Sequence, residues 1–410
     1  MVPDGWREAH VGNLISSMDA GVSVNSNSVP APENQIGVLK TSCVSDGVFV
    51  PRRNKWVKEV EEQNRVREHV RADTIIMSRM NTPDLVGANA YVGANYPNLF
   101  LPDRLWALKP NPGDVHCRWL AYWLGSAHTR FTISRIATGT SGSMKNITKV
   151  DVRALKIWVP PLPEQKKIAD ILSTWDKAIE TTGKLLANAE AQKRALMQQL
   201  LTGKRRLPGF EGREWQEVRL GDCIDLQGGF AFKSSEFVEE GIPIIRIANV
   251  VSRVNLVSSP HYERRDDLSQ FLVQDGDILI SMTGYVGKIG VFHATHECPE
   301  AYLNQRVGRV KLKERGPLTR SYLRQLLETE HFQRQVENAA AGGAQPNVSS
   351  KDVCAVQFRV PTVDEQTKIA TMLNDADNEI AALGENSKKL RTEKKALLQQ
   401  LLTGKRRVTL

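Results

Sequence analysis

No apolar run in the 410 residues approaches the roughly 18 needed to cross a bilayer, which excludes a helical membrane protein. Cysteine is scarce, with five residues at 43, 117, 223, 298 and 354 and no Cys-x-x-Cys spacing, so neither a disulfide framework nor a zinc site is expected. The start, MVPDGWREAH, lacks the basic start and apolar stretch of a secretory leader, and a reducing cytoplasm is the expected location. Catalytic signatures are also missing: there is no GxxxxGK[ST] phosphate loop, no HExxH, no GxSxG elbow and no Asp/Asn-Pro-Pro-aromatic motif. Gly284-Tyr-Val-Gly287-Lys288 is too short for a nucleotide loop, and the eight histidines have no metal-ligand spacing. Asp84 and Asp103 could imitate a nuclease centre, yet neither has an acidic-x-Lys partner in register. The expectation is a chain with no catalytic residue, no metal ligand and no cofactor of its own.

What the sequence does have is size and positive charge. A length of 410 suits two to four domains. Lys plus Arg number 55 against 46 Asp plus Glu, a formal net charge of +9 that favours a polyanionic partner without proving one.

The strongest signal is an internal repeat. Residues 164–206 align without a gap to residues 365–407 at a constant offset of 201; 21 of the 43 positions are identical, and QQLLTGKRR recurs whole at 198–206 and 399–407. Upstream, Trp6, Glu8 and Gly12 match Trp215, Glu217 and Gly221 at an offset of 209. Two copies of about 200 residues are too few and too large for a solenoid, so each copy is a variable module followed by a near-invariant helix. The boundaries read as a first module over 1–162, a helix over 163–206, a second module over 207–362 and a helix over 363–410.

In the first helix Ile168, Leu172, Trp175, Ile179, Thr182, Leu186, Ala189, Lys193, Leu196 and Leu200 alternate by four and three. The second puts Ile369, Leu373, Ala376, Ile380, Leu383, Ser387, Leu390, Lys394, Leu397 and Leu401 at the same positions. This is a narrow coiled-coil seam, with Thr182, Lys193, Ser387 and Lys394 as its polar exceptions. Pro163, Glu164 and Glu365 mark helix starts, and Gly203 and Gly404 mark the ends. The 39 residues from Glu164 to Thr202 make a rod of about 58 Å that needs a partner. The other copy is the obvious one, antiparallel across a pseudo-twofold axis. Gly183 and Gly384 would then face each other at mid-rod, or else mark a kink or frayed turn. The GKRR ends read as helix-end charges in preference to nucleic-acid patches.

Both modules read as α+β. Strand-like segments are IIMSR (75–79), GIPIIRIANV (241–250), DILISMTG (277–284) and the alternation from Val307; helical ones are 118–136 and 318–340. Small polar loops follow each helix, at 139–148 and 340–349, and suit recognition. Basic and amide residues on expected loops and strand ends are Lys40, Arg52, Arg53, Lys55, Arg79 and Lys145 in the first module. In the second they are Arg246, Asn249, Arg253, Lys288, Asn304, Gln305, Arg306, Gln345 and Asn347. Arg pairs with guanine edges and Asn or Gln with adenine, so these are candidates for DNA contact, by base or by phosphate; for any one of them a solvated charge is the plain alternative. Tyr285, between two glycines, could stack on DNA or pack on its own sheet.

The order of variable module, PPLPEQKKIA helix, second module and P..EQ.KIA helix resembles the specificity subunits of type I restriction-modification systems. The resemblance is carried by Pro160–Ile171, Pro361–Met372, the two QQLLTGKRR ends, GIPIIRIANV and MTGYVGKIG…AYLNQRV, and it spans essentially the whole chain. It implies two target recognition domains, each reading one half of a split asymmetric site in double-stranded DNA, with the paired helices as the ruler between them. It also implies partners: two methyltransferase subunits that dock on the helices, and restriction subunits in the full complex. S-adenosylmethionine, ATP and magnesium would belong to those partners. The first module departs from the pattern, lacking MTGYVGKIG and LNQRV in recognisable form. Two rival readings remain: a duplicated interaction scaffold that does not read DNA, and an enzyme with an unrecognised site.

Overall fold

The heptad seam forms two unbroken helices, Leu162–Leu200 and Val363–Leu402. The computed structural model describes residues 4–141, 144–340 and 346–409. The chain divides into two units that share these helices: Met1–Thr182 with Asn386–Leu410, and Gly183–Glu385. Each unit is therefore one module, the adjoining half of one helix and the opposite half of the other.

Within the first unit Ile168, Ala169 and Leu172 enter one core with Leu401 and Leu402. Arg407 grips buried Glu164 through Nε at 2.7 Å and Nη2 at 2.9 Å, and Lys394 pairs with Asp176. Within the second unit Ile369, Ala370 and Leu373 join Leu200 and Leu201. There Arg206 grips buried Glu365 at 2.9 and 2.8 Å, and Lys193 pairs with Asp377 at 2.7 Å. In both units low numbers on one helix meet high numbers on the other, so the halves run antiparallel. None of the apolar seam positions is exposed.

Two points of the seam differ from expectation. A Cβ at Gly183 or Gly384 would meet nothing within 4 Å, so no close approach of a neighbouring helix requires glycine at either place. The helices run through both half-buried glycines, because a glycine costs only about 1 kcal/mol against the packing on either side. The polar exceptions Lys193 and Lys394 are ion-paired seam members. Lys193 also reaches Glu328 at 2.9 Å, and Arg324 bonds Asp377 at 2.7 Å. The terminal arginines do not cap their own helix; each binds the first-turn glutamate of the other.

The modules are α+β and share one plan. In the first unit a four-stranded antiparallel sheet runs Ile15–Ala20, Leu105–Pro110, Thr74–Ser78, Asn89–Val92. A second runs Asn54–Trp56, Gly37–Leu39, Tyr96–Phe100, His69–Val70, its central pair parallel. In the second unit the same orders recur as Ile224–Gly228, Val307–Leu312, Ile278–Ser281, Ile289–Val291, and as His261–Tyr262, Ile242–Ile245, Ala301–Leu303, Leu272–Val273, again with a parallel central pair. A two-stranded ribbon, Arg7–His10 with Lys156–Val159 or Gln216–Arg219 with Gln357–Val360, leads into each long helix.

Each helical segment expected between sheet and ribbon is two helices: Cys117–Gly125 and Ala127–Ile136, then Arg320–Leu327 and Glu330–Ala339. The break falls at Ser126 and Thr329, whose hydroxyls accept from the N–H of Thr129 and Phe332 and start a new helix at the N-cap. GIPIIRIANV is a strand only to Ile245; Asn249 then folds back on the Arg246 N–H at 2.8 Å and turns the chain.

Candidate nucleic-acid interface

In the second unit the strand Ile278–Ser281 leads into a tight turn. The Gly287 N–H donates to the Ser281 carbonyl at 2.9 Å and the Ser281 N–H to that of Lys288 at 3.0 Å. The Ser281 hydroxyl accepts from the Lys288 N–H at 3.0 Å and donates to the Tyr285 carbonyl. Gly284 and Gly287 take φ of +73° and +77°, a region glycine enters at little cost. A Cβ at Gly287 would lie 3.1 Å from Gln333 Oε1 and 3.2 Å from Val336. So held, the turn presents Tyr285 at 75% exposure, which removes the alternative of burial on its own sheet. Lys288 Nζ lies 4.3 Å from the Tyr285 ring centre, an interaction that stacking or a phosphate could replace.

Two further segments flank this strand extension. The Met282 N–H donates to the Arg306 carbonyl at 3.0 Å, the Gly284 N–H to Pro346 at 2.9 Å, and the Val348 N–H to Met282 at 2.9 Å. The Thr283 hydroxyl donates to Asn347 Oδ1 at 2.7 Å. Tyr285, Lys288, Gln305, Arg306 and Asn347 are thereby gathered along one edge. The Arg306 side chain is exposed and has no hydrogen bond or ion pair among the described residues. Asn304 shapes the turn, its Oδ1 accepting from the Arg306 N–H at 3.3 Å. Arg246 and Arg253 are exposed nearby in sequence order, Arg253 bridging to Val291. Gln345 lies outside the described residues. Asn249 is a correction: it is buried, its Oδ1 taken by the Arg246 N–H and its Nδ2 donating to Asn255 at 2.7 Å, so its amide holds the fold and faces no partner.

The first unit has the same construction under an unrelated sequence. The Gly87 N–H donates to Ser78 at 2.7 Å, the Arg79 N–H to Arg104 at 3.0 Å and the Ile147 N–H to Arg79 at 3.0 Å. These match the bonds of Gly287, Met282 and Val348, and Gly87 has φ of +74°. The loop from Ser78 to Gly87 is three residues longer than its counterpart. Arg130 donates to the carbonyls of Val86 and Asp84, and at the same helical place Gln333 donates to Val286 at 2.8 Å. Arg79 and Lys145 border this loop, Lys145 Nζ lying 3.5 Å from the Gly139 carbonyl. Arg52 and Lys55 are exposed, and Lys40 donates to the Ser28 carbonyl at 3.1 Å. Arg53 is engaged internally, with Ser42 at 2.7 Å and Asp46 at 3.0 Å.

Sequence reasoning missed Arg104, which stands where Arg306 does, and Asn146, which pairs with Met80 as Asn347 pairs with Thr283. The signal was present: RLWALK (104–109) matches RVGRVK (306–311) in its Arg, in Leu105 and Leu108 against Val307 and Val310, and in its Lys. It also missed the braces Arg130 and Gln333, which nothing in the local pattern distinguishes.

Among the described residues no group of His, Cys, Asp and Glu is placed to hold a metal ion, and no helix is long and apolar enough to cross a membrane. Burial pushes the Cys43 thiol up to about 12 and raises the other four thiols as well, so none is poised as a thiolate.

A family model described as "Type I restriction modification DNA specificity domain" matches residues 5–191 and again 212–391. The chain is 30% identical over 291 residues to the type I restriction enzyme MjaVIII specificity subunit of Methanocaldococcus jannaschii, covering 67% of this chain and 68% of that one. To the putative type I restriction enzyme MjaX specificity subunit of the same organism it is 23% identical, over 99% and 95% of the two chains. The crystal structure of a type I restriction-modification system S subunit from M. genitalium superposes with a TM-score of 0.67 at 18% identity, covering 98% of this chain and 99% of that one. That likeness speaks for the fold; the doubled sequence match covers both units. The chain belongs to the type I restriction modification DNA specificity family, and DNA target specificity is the role of its two units.

Proposed function

We propose that each unit reads one half of a split, asymmetric DNA target, and that the chain itself carries out no chemistry. The observation that supports this most directly is a common frame with divergent edges. Both units build the same strand, turn and flanking segments, yet the turn holds Arg79–Val86 in one and Met282–Val286 in the other. A frame that repeats while its exposed side chains change suits two readers of different sequences. In this reading the shared helices are the platform for two methyltransferase subunits and, in the full complex, restriction subunits. S-adenosylmethionine, ATP and magnesium act on those partners.

The test is a map of methylated adenine across the host genome with and without this gene. Loss of one bipartite motif is the expected result and names both half-sites. An unchanged map in a host whose partner subunits are active would refute the reading. Exchanging residues 278–291 for those of a relative with a different target should alter one half of the motif only.

A further inference from the structure

In both units a cation stands at the C-terminal end of each of the two parallel strands. In the first unit Lys40 follows Gly37–Leu39, and Arg104 follows Tyr96–Phe100 by a short turn. In the second Arg246 follows Ile242–Ile245, and Arg306 follows Ala301–Leu303. The strand ends share a close approach: Gly21 and Gly229 occupy matching places where a Cβ would collide with the carbonyls of Leu101 and Leu303. In the second unit the Asn304 N–H also donates to the Ile245 carbonyl at 3.2 Å.

In the first unit these groups line a cleft of about 300 Å³ with Lys55 and the hydroxyl residues Ser23, Ser26 and Thr41. The Ser23 hydroxyl donates to Asp103 at its rim. Neither Lys55 nor Arg104 has an internal partner for its charge among the described residues. The lining contains no Asn or Gln, the side chains that pair with adenine; its polar members are the Lys, Arg, Ser and Thr that hold phosphate oxygens, set among Val24, Val38, Leu39 and Pro102.

Resting on the half-site reading above, we infer that these strand ends are phosphodiester seats: Lys40 and Arg104 in the first unit, Arg246 and Arg306 in the second, grip the DNA backbone and do not read bases. The repetition supplies the reason. A contact that ignores sequence can occupy the same place in two units with different targets, whereas a contact that reads sequence must change with the target. Cations persist at both strand ends of both units while the neighbouring turns differ.

The experiment uses the assembled methyltransferase complex and a fluorescent duplex bearing the mapped target, titrated from about 50 to about 200 mM salt. Removing one phosphate contact should flatten the salt dependence, so that the loss of affinity across this range shrinks about 3.5-fold for Arg104→Ala or Arg306→Ala. The weakening should be equal on the target and on single-base variants of it. Loss of discrimination at one base pair with an unchanged salt slope would overturn the assignment and make that arginine a base reader. Millimolar inorganic phosphate at constant ionic strength should not compete; competition abolished by Lys40→Ala would reassign the cleft to a free phosphate. A sequence-selective complex whose slope ignores all four substitutions sinks the seats and leaves the half-site reading standing. A complex with no sequence preference whose slope responds to them does the reverse.

Discussion

Replacing Arg206 by Met should destabilise the second unit more than replacing its partner Glu365 by Gln. Glu365 is only 1% exposed, and among the described residues the hydrogen bonds to its side chain come from Arg206 alone. Taking away the guanidinium leaves a buried carboxylate without a counter-ion, a loss of about 3–5 kcal/mol, nearer 3 because Arg206 is 19% exposed and water can follow. Glu365→Gln leaves Arg206 partly solvated, still donating to the Arg213 carbonyl at 2.6 Å and lying 5.5 Å from the Trp215 ring, so about 1–2 kcal/mol should be lost. Hydrogen exchange followed by mass spectrometry resolves the two units separately, which a single denaturation midpoint would not. In the first unit Glu164 also accepts from Trp6 Nε1 at 3.1 Å, so Arg407→Met should cost less than Arg206→Met. The reasoning fails if Arg206→Met costs no more than Glu365→Gln.

Gly287→Ala should disturb the recognition turn, since it places a Cβ at φ of +77° against Gln333 and Val336; methylation mapping should show the second half-site weakened or relaxed and the first intact. Asp377 is held below its ordinary value of 3.8: burial pushes it up, but the hydrogen bonds of Lys193 and Gln325 and the charges of Lys193 and Arg324 outweigh that. An unfolded aspartate protonates first, so this stabilisation is full above about pH 4 and is lost as the pH falls through the lower folded value; Asp377→Asn should flatten that acid limb in unfolding measured from pH 6 to pH 2. Thr329→Ala removes an N-cap and should cost about 1 kcal/mol, seen as faster exchange in Glu330–Ala339.

Periodicity was a good guide wherever burial alone decides. The apolar seam and the α+β order of the modules follow from the spacing of residues such as Ile168, Leu172, Ile369 and Leu373, which lie in the cores. It failed where a single side-chain hydrogen bond decides. Ser126, Thr329 and Asn249 each redirect the chain through one bond to a backbone N–H, and no hydrophobic pattern registers that. The site was half legible. Residue type marked Arg306 and Lys288 as exposed cations; the short match of RLWALK to RVGRVK pointed to Arg104, and the backbone ladder fixes it as the counterpart of Arg306 although the intervening loops differ in length. Asn249 has the residue type of an adenine reader and is used as a turn.

The pattern of identity between the two helices has a physical cause in how the units are closed. Leu401, Leu402 and Arg407 complete the first unit against Glu164, Ile168 and Leu172; Leu200, Leu201 and Arg206 complete the second against Glu365, Ile369 and Leu373. A start from one copy and an end from the other meet in each unit, so both starts and both ends must fit the same socket. Divergence at either would damage packing in whichever unit received it. The stretch from Lys184 to Gln192 and its counterpart from Glu385 to Glu393 adjoin the unit boundaries, and they share no identical position, whereas QQLLTGKRR is repeated whole. Repetition is therefore strongest where each helix closes a core that the other copy's module begins, and it lapses where neither core makes a demand.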